Sequence, residues 1–229
     1  MKFSVLIPCY NEKEYILKVL KKVNEQKKNY DLEIIVSDDY SNDGTLEILK
    51  KDKQLYDKLV ECNTNLGKGA AIKNALQYIT GDVVIIQDAD LEYDPNDFKI
   101  LFEPFLKNNA DIVYGSRFQG SSIKRVLYFR NRMANGVITF LSNLLTNLNF
   151  TDVETGYKVF KAQVLKGLNL QENSFAFEIE STMKIAKKKL VIFEVGISYK
   201  GRTIDEGKKI KFIDGIKAVI SIFKYKFFS

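Results

Sequence analysis

The chain predicts an α/β protein in which a mostly parallel sheet is covered by helices on both faces. Three observations predict it. Short, continuously apolar runs recur along the first half of the sequence, as in strands buried on both sides. Segments with helical apolar spacing alternate with those runs, which is the signature of βαβ units. Polar and glycine-rich residues gather where the runs end, and in open α/β sheets that edge binds ligands.

The first strand is predicted over residues 2–9, through Phe3-Ser4-Val5-Leu6-Ile7. Asn11, with Glu14 in the capping-box position, is expected to open a helix striped by Ile16, Leu17, Leu20 and Val23. A second strand, 33–36, runs into the acidic turn Ser37-Asp38-Asp39-Tyr40-Ser41-Asn42-Asp43-Gly44, and a helix follows with Leu46 and Leu49 inward. Residues 58–62 read as a short strand. Gly67-Lys68-Gly69 opens a helix expected to reach Ile79, with Gly81 closing it. Val83-Val84-Ile85-Ile86 is the next buried strand and ends at Asp88-Ala89-Asp90. A helix over 97–106 leads to a strand over 111–115.

Beyond Gly115 the pattern changes. Residues 133–151 carry no charge, and Asn135, Thr139, Ser142, Thr146 and Asn149 recur opposite Val137, Leu141, Leu144 and Leu148. That spacing predicts an amphipathic helix rather than a membrane span. Strands are expected at 157–160 and 190–199. A final amphipathic helix sets Phe212, Ile216, Val219, Ile220, Phe223 and Phe227 against Asp214, Lys217, Ser221 and Lys224. Each amphipathic helix reads either as packed on the core or, for the basic and aromatic last one, as lying at a lipid interface.

Composition narrows the function. With 45% hydrophobic and 28% charged residues among 229, a globular domain is expected rather than a disordered chain. Histidine is absent, which removes Ser-His-Asp triads, Cys-His dyads and histidine-ligated metals. Cys9 and Cys62 fall in strand-like runs and read as buried reduced thiols, in keeping with a cytoplasmic setting. The N-terminal residues enter a strand pattern directly, so no signal peptide is expected. No apolar run approaches the roughly 20 residues of a spanning helix. Residues 183–229 hold 12 basic and 4 acidic side chains, net +8, whereas the rest is −2. A basic end on a near-neutral body suggests an anionic partner surface. Nucleic acid is disfavoured because no aromatic RNA-binding, zinc or recognition-helix motif accompanies the charge.

The strongest chemical signal is Asp88-Ala89-Asp90-Leu91-Glu92 directly after a buried strand. In extended chain, residues two apart project to one side, so the three carboxylates could converge on a hard cation such as Mg²⁺ or Mn²⁺. A solvated acidic loop is the competing reading. The second acidic strand end, Asp38-Asp39, favours a site. Gly67-Lys68-Gly69 either lets backbone approach a nucleotide or simply starts a helix; it is not a Walker A motif.

In order along the chain stand Pro8-Cys9-Tyr10-Asn11-Glu12, Asp38-Asp39-x-Ser41-x-Asp43-Gly44-Thr45 and Asp88-Ala89-Asp90-Leu91-Glu92-Tyr93-Asp94-Pro95. Gly115-Ser116-Arg117, Asp152-x-x-Thr155-Gly156-Tyr157, Arg202 and Glu206-Gly207-Lys208-Lys209-Ile210 follow. This ordered set resembles family 2 glycosyltransferases, especially the dolichol-phosphate mannosyltransferase-like, polyprenyl-phosphate branch. The resemblance implies a GT-A fold over residues 1–210, with 211–229 as a C-terminal basic amphipathic helix. It also implies an inverting transfer of hexose from GDP-mannose or UDP-glucose to a polyprenyl phosphate. Pro8, Tyr10, Glu12, Asp39, Lys68 and Asp88 would then hold the nucleotide-sugar. Asp88, Asp90 and Glu92 would hold Mg²⁺ or Mn²⁺, with Glu92 where many relatives carry Gln. Arg117, Arg130, Arg202 and Lys209 would grip the acceptor phosphate, since the arginine fork matches phosphate. Asp90, Asp152 and Arg117 would be the catalytic set. Asp152 is expected to orient sugar or acceptor rather than act as an obligatory base; an N-cap or turn role is the other reading.

The missing histidine fits that acceptor. A sugar hydroxyl needs a general base, whereas a phosphate monoester, with a second pKa near about 6, is already anionic. The expected place is the cytoplasmic face of a membrane, reached through interfacial helices or a membrane-embedded partner subunit. The alternatives are a glycan or other hydroxyl acceptor, or a non-catalytic nucleotide-sugar-binding relative. A nucleotidyltransferase would need a glycine-rich N-terminal loop with Arg and Lys, where Pro-Cys-Tyr-Asn-Glu stands instead.

Overall fold

A computed structural model describes residues 1–120, 123–126, 128–203, 206 and 212–228. Seven strands form one sheet: β1 (Phe3–Cys9), β2 (Leu32–Asp38), β3 (Lys58–Glu61), β4 (Val83–Ile86), β5 (Ile112–Ser116), β6 (Lys158–Lys161) and β7 (Ile192–Gly196). Their order is β3-β2-β1-β4-β6-β5-β7. All pairings are parallel except the two made by β6, which runs antiparallel to β4 and β5. The helices are α1 (Ile16–Glu25), α2 (Thr45–Lys51), α3 (Lys68–Leu76), α4 (Phe98–Lys107), α5 (Phe129–Thr146), α6 (Ala162–Lys166), α7 (Phe177–Ile185) and α8 (Phe212–Phe227). The predicted strands and long helices are all present. Helices α6 and α7 were not anticipated.

Alternate residues of the central strands feed two cores. Phe3, Val5, Ile7 and Cys9 pack under α1 and α4 with Leu20, Phe98 and Phe102. Leu6, Ile35, Val84 and Ile86 face the other way, onto α3, α7 and α8 through Ile72, Phe177, Ile222 and Tyr225. Burial on both faces is why these strands read as continuous apolar runs. Chain order reverses between β1 and β4, so their C-terminal ends open a crevice at the switch point.

Several local expectations are corrected. Asn11 does not cap α1, which begins at Ile16 behind Tyr15 without a side-chain cap. Instead Asn11, with φ 51°, exchanges hydrogen bonds with Asn42 and joins the β1 and β2 turns. Gly81 does not close α3, which ends at Leu76. It lies against β1, where a Cβ would fall 2.6 Å from Ser4 Oγ. Cys62 lies just past β3 and is only half-buried.

The largest difference concerns α5 and α8, which pack side by side. On α5 the buried side chains are Ile138, Thr139 and Ser142. Phe129, Met133, Val137, Phe140 and Leu144, at helical spacing, are 54–73% exposed. On α8 the body is met by Ala218, Ser221, Ile222 and Tyr225, while Ile216, Ile220, Phe223 and Phe227 face outward. The buried positions mix Ile138, Ile222 and Tyr225 with small or hydroxylated residues, and a large part of each apolar stripe is left outside. Among the described residues, no helix is long and apolar enough to cross a membrane.

Candidate active site

The switch-point crevice opens into a cavity of about 1020 Å³. Pro8, Tyr10 and Glu12 after β1, Asp39 after β2, Gly67 and Lys68 at the start of α3, and Asp88, Asp90 and Glu92 after β4 line one end. Arg117, Glu154, Gly156, Glu178, Tyr199 and Arg202 also line it. Arg130 and Val137 of α5 with Ile216 and Val219 of α8 line the far end. Of the residues named from sequence, Asp152 lies behind this lining, and Lys209 falls outside the described residues.

Asp39 shapes the nucleotide end. Its carboxylate accepts the backbone N–H groups of Leu66 (3.1 Å) and Gly67 (2.7 Å), fixing the loop before α3. Burial raises its pKa against those two hydrogen bonds. Gly67 has φ 106°, and a Cβ there would lie 2.6 Å from the Asn173 carbonyl oxygen, so only glycine fits that approach. Lys68, next in sequence, reaches inward to Asp88 at 2.7 Å and Glu178 at 2.9 Å. Burial opposes its charge, but the two carboxylates outweigh burial and its pKa rises. Glu178 also holds the fully buried Lys158 of β6, whose remaining hydrogen bonds go to the carbonyls of Val153 and Thr155.

Residues 88–92 do not form the extended chain that sequence spacing suggested. They turn, with Leu91 at φ 62° and the Glu92 N–H donating to Asp90 Oδ1. A left-handed leucine costs roughly 1–2 kcal/mol, and such strain collects at functional sites. The turn crowds the carboxylates together. Burial first, then the charges of Asp88 and Glu92, push the Asp90 carboxyl up to about 7 despite Arg202.

Arg202 supplies the positive charge in this cluster. Its Nη2 donates to Asp90 at 2.7 Å, and Nη1 and Nη2 each lie 3.3 Å from Glu12 oxygens. Its backbone N–H donates to Glu92 Oε1, and the Tyr199 hydroxyl donates to Glu92 Oε2. The buried Arg202 Nε makes no hydrogen bond and lies 3.6 Å from Glu92 Oε1. Among the described residues, no three carboxylates already close around one point. The chemistry of the donor set nonetheless fits a hard divalent cation: oxygens only, more negative charge than one arginine balances, and a guanidinium standing where a cation is wanted. Asp88, held by Lys68, and Asp90, held by Arg202, would join that cation by exchanging those contacts. Glu92 joins them only when Arg202 and Tyr199 release it.

Arg117 lines the cavity and is held in place by Asp152. Its backbone N–H, Nε and Nη2 all donate to Asp152, at 3.0, 2.7 and 2.8 Å. Asp152 is fully buried. The carboxylate is therefore an anchor for Arg117, and the guanidinium stacks near the Phe118 and Tyr199 rings. Of the two neighbouring arginines, Arg130 reaches the cavity, whereas Arg132 lies 3.6 Å over the Phe118 ring.

Sequence reasoning missed Glu154, Lys158 and Glu178. Glu154 lay inside a quoted motif as an unspecified position. Lys158 carried a usable signal, being a lysine inside an apolar strand. Glu178 offered none, because α7 itself was not foreseen.

A family model described as Glycosyl transferase family 2 matches residues 4–168, more than half of the chain. A dolichol-phosphate mannosyltransferase of Pyrococcus furiosus is 29% identical over 215 residues, covering 92% of this chain and 61% of that protein. A dolichyl-phosphate beta-glucosyltransferase of Trichomonas vaginalis is 26% identical over 241 residues, 98% of this chain and 73% of its own length. Among solved structures, glucosyl-3-phosphoglycerate synthase of Mycobacterium tuberculosis with Mn²⁺, uridine diphosphate and phosphoglyceric acid superposes with a TM-score of 0.72. That pair shares 20% identity over 100% of this chain and 79% of the other, a likeness of fold. With its strand-end motifs gathered at one crevice of a GT-A sheet, the chain belongs to glycosyl transferase family 2 and is similar to dolichol-phosphate glycosyltransferases of that family.

Proposed function

We propose that the protein transfers a hexose from a nucleotide-sugar, of the GDP-mannose or UDP-glucose type, to the phosphate of a polyprenyl or dolichyl phosphate at a membrane surface. The observation that carries this reading is the position of the exposed apolar faces of α5 and α8. The same two helices wall the far end of the cavity through Arg130, Val137, Ile216 and Val219. An acceptor with a charged head and an apolar tail matches a crevice that holds charged side chains and ends between two apolar surface helices. Exposed Arg130 and Lys217 flank that surface and suit anionic headgroups. The protein would then sit peripherally on the cytoplasmic face, alone or with a membrane-embedded partner subunit.

Donor binding falls to the residues that end β1, β2 and β4. Pro8, Tyr10 and Asp39 border the place for base and ribose, with Lys68 and Asp88 beside the diphosphate. A divalent cation held by Asp88 and Asp90, with Glu92 when released, would offset the charge that builds on the leaving diphosphate. Arg117, set by Asp152, and Arg130 orient the acceptor phosphate towards the anomeric carbon. A phosphate oxygen forms the new bond to that carbon from the face opposite the diphosphate. The old carbon–oxygen bond breaks, nucleoside diphosphate leaves, and configuration inverts. No proton has to be removed, which suits a chain without histidine and an Asp152 already engaged by three donors.

The test is transfer of label from radiolabelled GDP-mannose or UDP-glucose, with Mg²⁺ or Mn²⁺, to vesicles containing polyprenyl phosphate. Mild-acid-labile, solvent-extractable label is expected. The Ile220→Glu, Phe223→Glu variant should lose most of it while keeping donor binding. Transfer only to a soluble glycan hydroxyl would overturn the acceptor assignment and leave the family intact.

A further inference from the structure

Glu154 is a cavity carboxyl group that neither the metal-type cluster nor the arginine pair uses. Glu154 lines the cavity, and its Oε1 is sealed from solvent without any hydrogen-bond partner. Its nearest cations are engaged elsewhere. Lys158 Nζ has three donors and three partners, Val153 O, Thr155 O and Glu178. Lys68 is held between Asp88 and Glu178, and Arg117 by Asp152. A buried polar atom left unpaired is costly, and each such atom in a native fold asks for a reason.

The backbone that carries Glu154 is fixed on both sides. The carbonyls of Val153 and Thr155 accept from the Lys158 ammonium, at 2.9 and 2.7 Å. The Thr155 hydroxyl donates to Gly115 O, and the Gly156 N–H donates to the Tyr93 hydroxyl at 2.8 Å. A clamped loop is holding a carboxyl whose Oε1 has no hydrogen-bond partner. Preorganised supports of this kind belong around ligand-reading groups. The terminal torsion of a glutamate is broad and two-fold, so either oxygen can be turned to the cavity.

Position indicates what it reads. Gly156 lies against Asp88, where a Cβ would fall 2.4 Å from Oδ2 and 2.9 Å from the Tyr93 ring. The loop therefore borders the carboxylate assigned above to the diphosphate. A hexose attached to that diphosphate would lie beside this loop, in the cavity that Glu154 lines. Its hydroxyls are the matching partners for an unpaired carboxyl.

We propose that Glu154 is a specificity residue that hydrogen-bonds hydroxyl groups of the donor hexose and contributes to choosing the sugar. The inference rests on the proposed donor site and deepens it. A site built to bond a hydroxyl rejects a sugar that lacks it or points it elsewhere, because the carboxyl is then left unpaired.

The test is calorimetric binding with Mg²⁺, using UDP-glucose and GDP-mannose alongside UDP and GDP, on wild type, Glu154→Ala and Glu154→Gln. For the preferred sugar-nucleotide, Glu154→Ala should weaken binding by roughly tenfold to a hundredfold, with Glu154→Gln between the two. Binding of the bare diphosphates should stay within about twofold. Thermal unfolding adds a readout that a structural role would move the other way. Removing an unpartnered oxygen should leave Tm unchanged or higher, as when function is held at a cost in stability. Equal weakening of diphosphate and sugar-nucleotide, no weakening of either, or a lowered Tm in Glu154→Ala would overturn the assignment. A wild-type protein that binds bare diphosphates and sugar-nucleotides alike, with Glu154→Ala unchanged, overturns this inference alone. Failure of the wild type to bind any of the four probes overturns the donor site as well.

Discussion

Arg117 and Arg202 are both buried arginines on the wall of one cavity, and their surroundings differ in kind. Arg117 makes a completed bidentate pair with Asp152, at 2.7 and 2.8 Å, with a third hydrogen bond from its own backbone. Arg202 faces three carboxylates, Glu12, Asp90 and Glu92, yet two of its contacts stretch to 3.3 Å and its Nε, 3.6 Å from Glu92, makes no hydrogen bond. The first arrangement satisfies every charge it buries. The second has excess negative charge and incomplete hydrogen bonding. One pair is a strut that sets the shape of the cavity; the other is a contact suited to exchange with a cation or a phosphate.

The strut should give the larger effect when broken. Asp152→Ala leaves Arg117 charged, buried and alone, which costs about 3–5 kcal/mol. At about 2–4 °C per kcal/mol for a domain of this size, Tm should fall by roughly 6–20 °C. Asp152→Asn retains one acceptor and should fall less, with turnover lowered rather than abolished. Thermal unfolding together with residual transfer activity checks this. Wild-type Tm with complete loss of turnover in Asp152→Asn would instead make Asp152 a direct participant in the reaction.

Removing Arg202 should sharpen the contrast through metal rather than through stability alone. Arg202→Ala exposes the carboxylate cluster to its own repulsion, which a divalent cation relieves. Added Mg²⁺ or Mn²⁺ should therefore raise the Tm of Arg202→Ala by several degrees more than that of wild type, by ligand linkage. The same metals should not rescue Asp152→Ala, because no cation is wanted there. Equal metal responses in all three proteins would remove the distinction.

The two arginines also mark how far the sequence could be read. Both were singled out through the resemblance to family 2 glycosyltransferases, Arg117 also by its place at a strand end. The strands were legible for a related reason: burial on both faces of a parallel sheet writes itself as uninterrupted apolar runs such as Val83–Ile86. Partner choice was not legible. Nothing local to Asp152 says that it faces Arg117, 35 residues away in sequence, and nothing in Asp88-Ala89-Asp90-Leu91-Glu92 announces the left-handed Leu91 that turns the carboxylates inward. Helix α5 was misjudged for a similar reason. Periodicity reports two faces but not which one meets the body, and here Thr139 and Ser142 go in while Phe140 and Leu144 stay out.

A third buried charge, at the opposite end of β2 from Asp39, supplies the smallest expected effect and a control for both arginines. Glu33 lies in the sheet and accepts hydrogen bonds from Ser4, from the Thr80 hydroxyl and N–H, and from the Gly81 N–H, with Lys2 at 3.1 Å. Burial opposes its ionisation, but the hydrogen bonds from Ser4, Thr80 and Lys2 outweigh burial and hold its pKa down to about 2. A carboxyl depressed on folding contributes stability above its unfolded pKa, and that contribution is lost as pH falls through the folded value. Wild-type stability should therefore drop between about pH 4.5 and pH 2, and Glu33→Gln should flatten that limb while being less stable at neutral pH. Denaturant unfolding at stepped pH measures both. Because Glu33 is far from the cavity, the variant should keep wild-type donor affinity at pH 7. A loss of affinity there would mean that the charge networks at the two ends of β2 are coupled, and the cavity arginines could not then be treated as a local comparison.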